Sequence, residues 1–211
     1  MIEQVKISRI SDTCPTLPRS GNVVAMVGSF APLHNGHLDA VYSASKALTE
    51  RGIYVESAVF IPNSDEYLSR KLCDDNTIWT YERRIDKIYA SDITHLGVPV
   101  FVDDVSGRTV GLEQINNRVP DTIKRHLGFT ACQTFFVVGS DQLLSMEAHL
   151  ENEENRAICV LRPGNLDNVQ KYLSLPWVMK ALEAERFFIT EREDMINDIS
   201  SSKIRKSVIA D

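Results

Sequence analysis

The chain has no apolar run approaching the ~20 residues that a membrane-spanning helix requires. Residues 1–21, MIEQVKISRISDTCPTLPRSG, lack the apolar core of a secretory signal. Cysteine is sparse and scattered. Cys14, Cys73, Cys132 and Cys159 form no CxxC pair and no Cys–His zinc spacing, which argues against a disulfide framework or zinc ribbon and for free thiols in a reducing cytoplasm. Positive charge is not in excess. With 23 Lys and Arg against 29 Asp and Glu the net charge is −6, so a dedicated binder of nucleic-acid polymers is not expected, although a few local cations still suffice for a phosphate ligand. There is no internal repeat and no low-complexity tract. What is present, at 43% hydrophobic and 25% charged residues over 211 positions, is the composition of a soluble domain with a well-buried core.

Strand and helix patterns alternate along the chain. VVAMV (23–27) is apolar at every position, as a strand covered on both faces of a parallel sheet must be. YVESAVFIP (54–62), VPVFVDDV (98–105), QTFFVVGS (133–140), NRAICVLRPG (155–164) and RFFITER (186–192) read as five further strands. Helical spacing runs through Leu38, Val41, Ala44 or Ser45, and Leu48, with Gly52 as a stop, and again through Ile78, Tyr81, Ile85 and Ile88. Pro120 is expected to interrupt 107–128, giving a loop or short helix and then a helix from Asp121 to His126. DQLLSMEAHL reads as a short helix, one or two more surround Pro176, and SSKIRKSVIAD closes the chain as another. The polar stretch 63–76 reads as a mobile loop over the active site. Residues 1–21, with Pro15 and Pro18, read as a partly ordered N-terminal extension, and 22–211 as a single domain. The alternation predicts an α/β fold, a Rossmann-like doubly wound parallel sheet of about six strands with helices on both faces. Ligands of such sheets sit beyond the carboxyl ends of the strands, so the loops after Val27, Pro62, Val138 and Arg192 should converge.

The chemistry gathers around Val23 to His37, VVAMVGSFAPLHNGH. The apolar strand ends at Gly28-Ser29, a loop with Pro32 follows, and His34-Asn35-Gly36-His37 opens a helix. A helix N-terminus offers unpaired backbone N–H groups and the positive end of a dipole, and both favour phosphate. Gly28 allows backbone to approach a ligand closely, and Gly36 removes a side chain between two imidazoles. Near the other end, Ile199-Ser200-Ser201-Ser202-Lys203-Ile204-Arg205 reads as a hydroxyl-rich helix cap followed by a planar, always-charged donor fork. In GSDQLL (139–144), Asp141 is placed to accept from ribose hydroxyls or to cap the helix it begins.

GSFAPLHNGH resembles the G-x-F-x-P-x-H-x-G-H signature of the HxGH nucleotidyltransferase superfamily, and ISSSKIR resembles its ISSTxIR motif, with Ser202 keeping the hydroxyl of the usual Thr. GSDQLL and the CVLRPG turn (159–164) further resemble nicotinate and nicotinamide mononucleotide adenylyltransferases. The resemblance spans residues 22–211. It implies adenylyl transfer from ATP to a pyridine mononucleotide in NAD biosynthesis, with pyrophosphate released and no covalent enzyme intermediate. It implies His34, His37 and Arg205 as catalytic residues. ATP would lie along Gly28, Ser29, Phe30, His34, Gly36, His37, Gly139, Asp141, Ser200, Ser201, Ser202 and Arg205. The mononucleotide would lie near Ser29, Phe30, Lys71 or Arg70, Arg84 or Arg83, Thr122 with Asp121, and Arg162. Mg²⁺ would accompany ATP, without protein metal ligands. Ala31 stands where the family often has Asp or Asn. Trp79, Tyr81 and Trp177 are candidates for stacking on the pyridine, and each also reads as core. A homo-oligomer is compatible with all of this. Two other readings stand beside it: phosphopantetheine adenylyltransferase, whose helix start NGHLDAV resembles, and a nucleotide-binding regulator without turnover.

Overall fold

Val24 and Met26 face one side of the central strand and Val23 and Ala25 the other, and all four are buried. Every other part of the architecture follows from having to cover both faces. A computed structural model describes residues 7–13, 19–72, 79–106, 112–162 and 166–192. Its elements are β1 (Ile7–Arg9), β2 (Arg19–Gly28), α1 (Asn35–Thr49), β3 (Val55–Pro62), α2 (Asp65–Leu72), α3 (Tyr81–Tyr89), β4 (Val100–Val102), α4 (Leu112–Leu127), β5 (Phe129–Gly139), α5 (Glu147–Glu151), β6 (Arg156–Leu161), α6 (Leu166–Leu173), α7 (Pro176–Glu183) and β7 (Phe187–Glu191). The strands form one sheet in the order β1-β4-β3-β2-β5-β6-β7, and all neighbours pair in parallel. The fold is therefore α/β and Rossmann-like, with helices on both faces.

The two cores show how the sequence achieves this. On one face Val41, Ala44 and Leu48 of α1 and Ile85 and Ile88 of α3 pack with Val24, Met26, Ala58 and Phe60. On the other, Val119, Ile123 and Leu127 of α4 and Val178 and Ala181 of α7 pack with Val23, Ala25, Val59 and Ile61. The chain builds outward from β2 through β3 and β4, then returns to build the other half from β5. The strand order reverses between β2 and β5, so their carboxyl ends frame the crevice where such sheets take ligands. Among the described residues, no helix is long and apolar enough to cross a membrane.

Three expectations are corrected. Ile7–Arg9, read as part of an extension, forms the edge strand β1, paired with Val100–Val102. Ser11 fastens the following turn, donating from its backbone N–H and its hydroxyl to the Asp104 carboxylate at 3.2 and 2.7 Å. Pro120 does not break α4, which runs from Leu112 to Leu127. Burial of Val119, Ile123 and Leu127 at a four-residue spacing, at about 1.5–3 kcal/mol per side chain, outweighs the roughly 3 kcal/mol that an internal proline costs. Within 63–76, Asp65–Leu72 is a helix rather than a loop. Its acidic start, Asp65-Glu66, and basic end, Arg70-Lys71, complement the helix dipole, and Leu68 is fully buried against Ala31 and Trp79.

Candidate active site

At the carboxyl ends of β2, β5 and β6 lies a cavity of about 290 Å³. Gly28, Ser29, Phe30, His34, Gly36 and His37 line one wall, Gly139 and Asp141 another, and Lys71, Arg162 and Arg192 its rim. Of the loops expected to converge, those after Val27 and Val138 line this cavity and Arg192 reaches it, the loop directly after Pro62 supplies none of its lining, and Lys71 of α2 and Arg162 after β6 join them. A larger, more open cleft of about 810 Å³ lies at the opposite end of the sheet, where Asn22, Asp121 and Gln133 line it.

The two histidines form a pair. Their ring centroids are 3.9 Å apart with planes tilted by 31°. His34 is the N-cap of α1, in extended backbone. Its backbone N–H donates to His37 Nδ1 at 3.3 Å, which leaves the ring proton of a neutral His37 on Nε2. Phe30 supports the pair from below, its ring edge-on to His37 at 5.2 Å and to Phe60 at 5.6 Å. Burial drives the His37 pKa well below the ordinary histidine value, and the nearby charges of His34, Lys71, Arg162 and Arg192 push the same way. His37 is therefore a neutral donor in a positive field. An anion in that field meets cations and an uncharged N–H, a combination that can hold a phosphoryl group without giving it a proton.

A Cβ at the glycines of the cavity would press on neighbouring side chains. A Cβ at Gly28 would stand 2.7 Å from the Phe30 ring. At Gly36 it would stand 2.9 Å from Arg192 Nη1 and 3.1 Å from the His34 ring. At Gly139 it would stand 2.6 Å from Asp141 Oδ1, so the Asp141 carboxylate folds back over that backbone. The 3₁₀ turn from Ser140 to Met146 has no side-chain cap, so the capping role foreseen for Asp141 is absent. The Ser29 hydroxyl is buried and has no hydrogen-bond partner among the described residues, an orphan that a ligand can satisfy.

Other expected residues lie elsewhere. Arg84 has 0% exposure and does not reach the cavity. Its donors are taken by Ser29 O, Asn63 O, Asp65 Oδ1 and Trp79 O. Arg83 is exposed, with its guanidinium carbon 5.6 Å from the Trp79 ring centroid. Thr122 accepts from the Ser106 hydroxyl at 2.9 Å and holds the loop after β4. Asp121 faces the cleft at the far end. Lys71 rather than Arg70 lines the cavity, since Arg70 points away to Glu66 at 4.0 Å. Trp79 and Tyr81 are buried in the core and Trp177 packs at its margin. Ser200, Ser201, Ser202 and Arg205, with the closing helix, lie outside the described residues. Arg192 was marked only as the end of a strand and not as a site cation. Its signal is a cation two positions beyond FFIT (187–190), after Glu191, at the carboxyl edge where ligands sit.

Residues 25–207 match the family described as cytidylyltransferase-like. The chain belongs to that family. No curated protein matches it. The cytidylyltransferase-like assignment covers the His34–His37 pair, the cations of the rim and the stretch that ends in Arg205. It makes nucleotidyl transfer the general chemistry of the chain, with small-molecule nucleotides as substrates.

Proposed function

We propose that the chain transfers an adenylyl group from ATP to nicotinate or nicotinamide mononucleotide, giving the dinucleotide and pyrophosphate in NAD biosynthesis. The observation that carries this reading is the stacked imidazole pair at the start of α1, ringed by Lys71, Arg162 and Arg192 around one cavity. A triphosphate demands that density of donors, and a neutral metabolite does not.

In this reading an oxygen of the mononucleotide phosphate attacks the α-phosphorus of ATP in line. The bond from that phosphorus to the α–β bridging oxygen breaks, and pyrophosphate leaves with the electron pair. No bond to the protein forms, so positioning and charge stabilisation supply the rate. His37 Nε2–H donates to the α-phosphate oxygen on which charge builds, and His34 holds an adjacent phosphate. Arg192 takes the departing pyrophosphate, a role that Arg205 and the hydroxyls of Ser200, Ser201 and Ser202 share in the resemblance, and Arg162 holds the mononucleotide. Lys71 approaches from α2. Asp141, over Gly139, receives the ribose hydroxyls. Among the described residues no group of three or more His, Cys, Asp or Glu is placed to hold a metal ion. Mg²⁺ would accompany the nucleotide, as the resemblance implies, and would neutralise charge on its phosphates.

The choice of adenine and pyridine rests on the likeness of GSDQLL and the turn after Arg162 to the pyridine-nucleotide enzymes. Phosphopantetheine adenylyltransferase is the second reading, favoured by NGHLDAV at the start of α1. The deciding experiment offers ATP or CTP with each of three acceptors, nicotinate mononucleotide, nicotinamide mononucleotide and phosphopantetheine, and measures pyrophosphate. Release with ATP and a pyridine mononucleotide is expected. Release with phosphopantetheine alone selects the second reading, and ATP binding without release for any acceptor selects a regulator.

A further inference from the structure

Arg84 is a buried cation with no direct contact with the cavity, and its four donated bonds run to four different segments. Nη1 donates to Ser29 O at 2.8 Å, after β2. Nη2 donates to Asn63 O at 2.7 Å, after β3, and to Asp65 Oδ1 at 2.9 Å, the first residue of α2. Nε donates to Trp79 O at 3.2 Å, ahead of α3. The guanidinium lies over the Tyr81 ring, 5.4 Å from its centroid. Asn63 N–H in turn donates to Gly28 O at 2.9 Å, so both strand ends are tied to one knot.

Burying a guanidinium is expensive, and a well-packed apolar side chain of similar size commonly does as well for stability. Only the planar fork of arginine can satisfy acceptors that diverge in this way. Three of the four acceptors lie in the two stretches that carry site residues, Ser29 beside Phe30, and Asn63 and Asp65 at the base of α2. Through Asn63 and Asp65 the fork anchors the base of α2, whose last turn carries Lys71. Through Ser29 O it fixes the peptide that enters Phe30. In a planar trans peptide the carbonyl and the next N–H point in opposite directions, so holding Ser29 O on Arg84 turns the Phe30 N–H away from that guanidinium. Phe30 itself sits at φ +46°, the left-handed region that a bulky residue avoids. Such strain persists only where the surroundings over-determine it. Here the buried ring, held between Phe60 and His37, does so from one side and Arg84 from the other.

We propose that Arg84 is the positioning residue of this site, a buried fork that sets the Ser29–Phe30 peptide under the histidine pair and the base of α2 under Lys71 so that both receive one nucleoside triphosphate. The inference rests on the reading that the cavity takes a triphosphate, and not on which acceptor follows.

The test uses Arg84→Lys and Asp65→Ala in the full chain. Circular dichroism and melting temperature establish folding. Calorimetric titration with ATP, CTP and inorganic pyrophosphate gives Kd, and the transfer assay gives kcat and KM. Arg84→Lys keeps the charge but reaches fewer acceptors, and should weaken triphosphate binding and lower kcat by about ten-fold or more. Asp65→Ala removes an exposed partner and should weaken triphosphate binding about three-fold while leaving the fold intact. A purely structural role lowers the melting temperature and the active fraction and leaves Kd and KM of the folded protein unchanged. A folded Arg84→Lys chain with wild-type Kd overturns the proposal. If that chain does not fold, an Asp65→Ala chain with wild-type Kd overturns it instead. Wild-type protein that binds ATP but transfers to no pyridine mononucleotide refutes the acceptor reading alone, and Arg84 is then judged on Kd. Wild-type protein that binds none of the three ligands refutes both.

Discussion

His37 carries the largest single expectation at the residue scale. His37→Ala should lower turnover by roughly 10²–10³, the scale of losing one preorganised donor. His34→Ala should act chiefly on ATP, raising its KM in steady-state assays. The pH dependence follows from the neutral state of His37. Its pKa lies well below the ordinary 6.5, so the ring stays neutral as pH falls from about 8 to 6, and the rate should show no loss from its titration there. A pH–rate profile that breaks near 6.5 and becomes flat in His37→Ala contradicts the assignment. The histidine pair was legible because its spacing places both rings at one helix start. Arg84 was not legible in the same way. In the sequence it is one of two adjacent arginines, and only the fold distinguishes the buried fork from the exposed Arg83 over Trp79. For Thr122 the fold adds a partner that the sequence does not show, the Ser106 hydroxyl.

At the scale of elements, the first turn of α1 separates stability from function. Gly36 is helical, so alanine there should hold or raise the melting temperature, by the ~0.5–1 kcal/mol that separates the two residues in helices. The same methyl group meets Arg192 and His34, so calorimetry should show weaker triphosphate binding by Gly36→Ala. Loss of both stability and binding would mean that the helix start is not built as described. Strand positions were legible because β2, β3, β5, β6 and β7 are apolar over long runs. The helices α2 and α4 were harder. α2 buries little beyond Leu68, so its pattern is mostly polar, and its evidence lies in the charge order from Asp65 to Lys71. α4 contains a proline, and only the sheet face waiting for Val119, Ile123 and Leu127 makes its continuity worthwhile.

At the scale of the whole molecule, one face of the sheet contains a titratable weakness. His149 is 6% exposed, edge-on to Phe136 at 4.9 Å, and Asn155 Nδ2 lies 3.2 Å from its Nδ1. Burial lowers its pKa from 6.5 to about 4. The unfolded chain binds this proton first, so the contribution is complete above pH 6.5 and is lost as pH falls towards 4. The loss amounts to about 3 kcal/mol. Denaturant melts across that range should therefore fall more steeply for the wild type than for His149→Gln. The parallel sheet with helices on both faces followed from strand–helix alternation, but the order β1-β4-β3-β2-β5-β6-β7, which places the crevice between β2 and β5, needed the fold. The edge strand β1 did not follow from alternation either, because three residues in a polar segment carry almost no periodic signal.

The most direct test of the central claim is pyrophosphate release from ATP and nicotinate mononucleotide, measured side by side for the wild type and His37→Ala with dinucleotide counted in the same samples. The account predicts equal amounts of pyrophosphate and dinucleotide from the wild type and at least a hundred-fold slower release, about 10² or more, from the variant. A folded wild type that releases no pyrophosphate from ATP with any acceptor, or a variant as fast as the wild type, would contradict it.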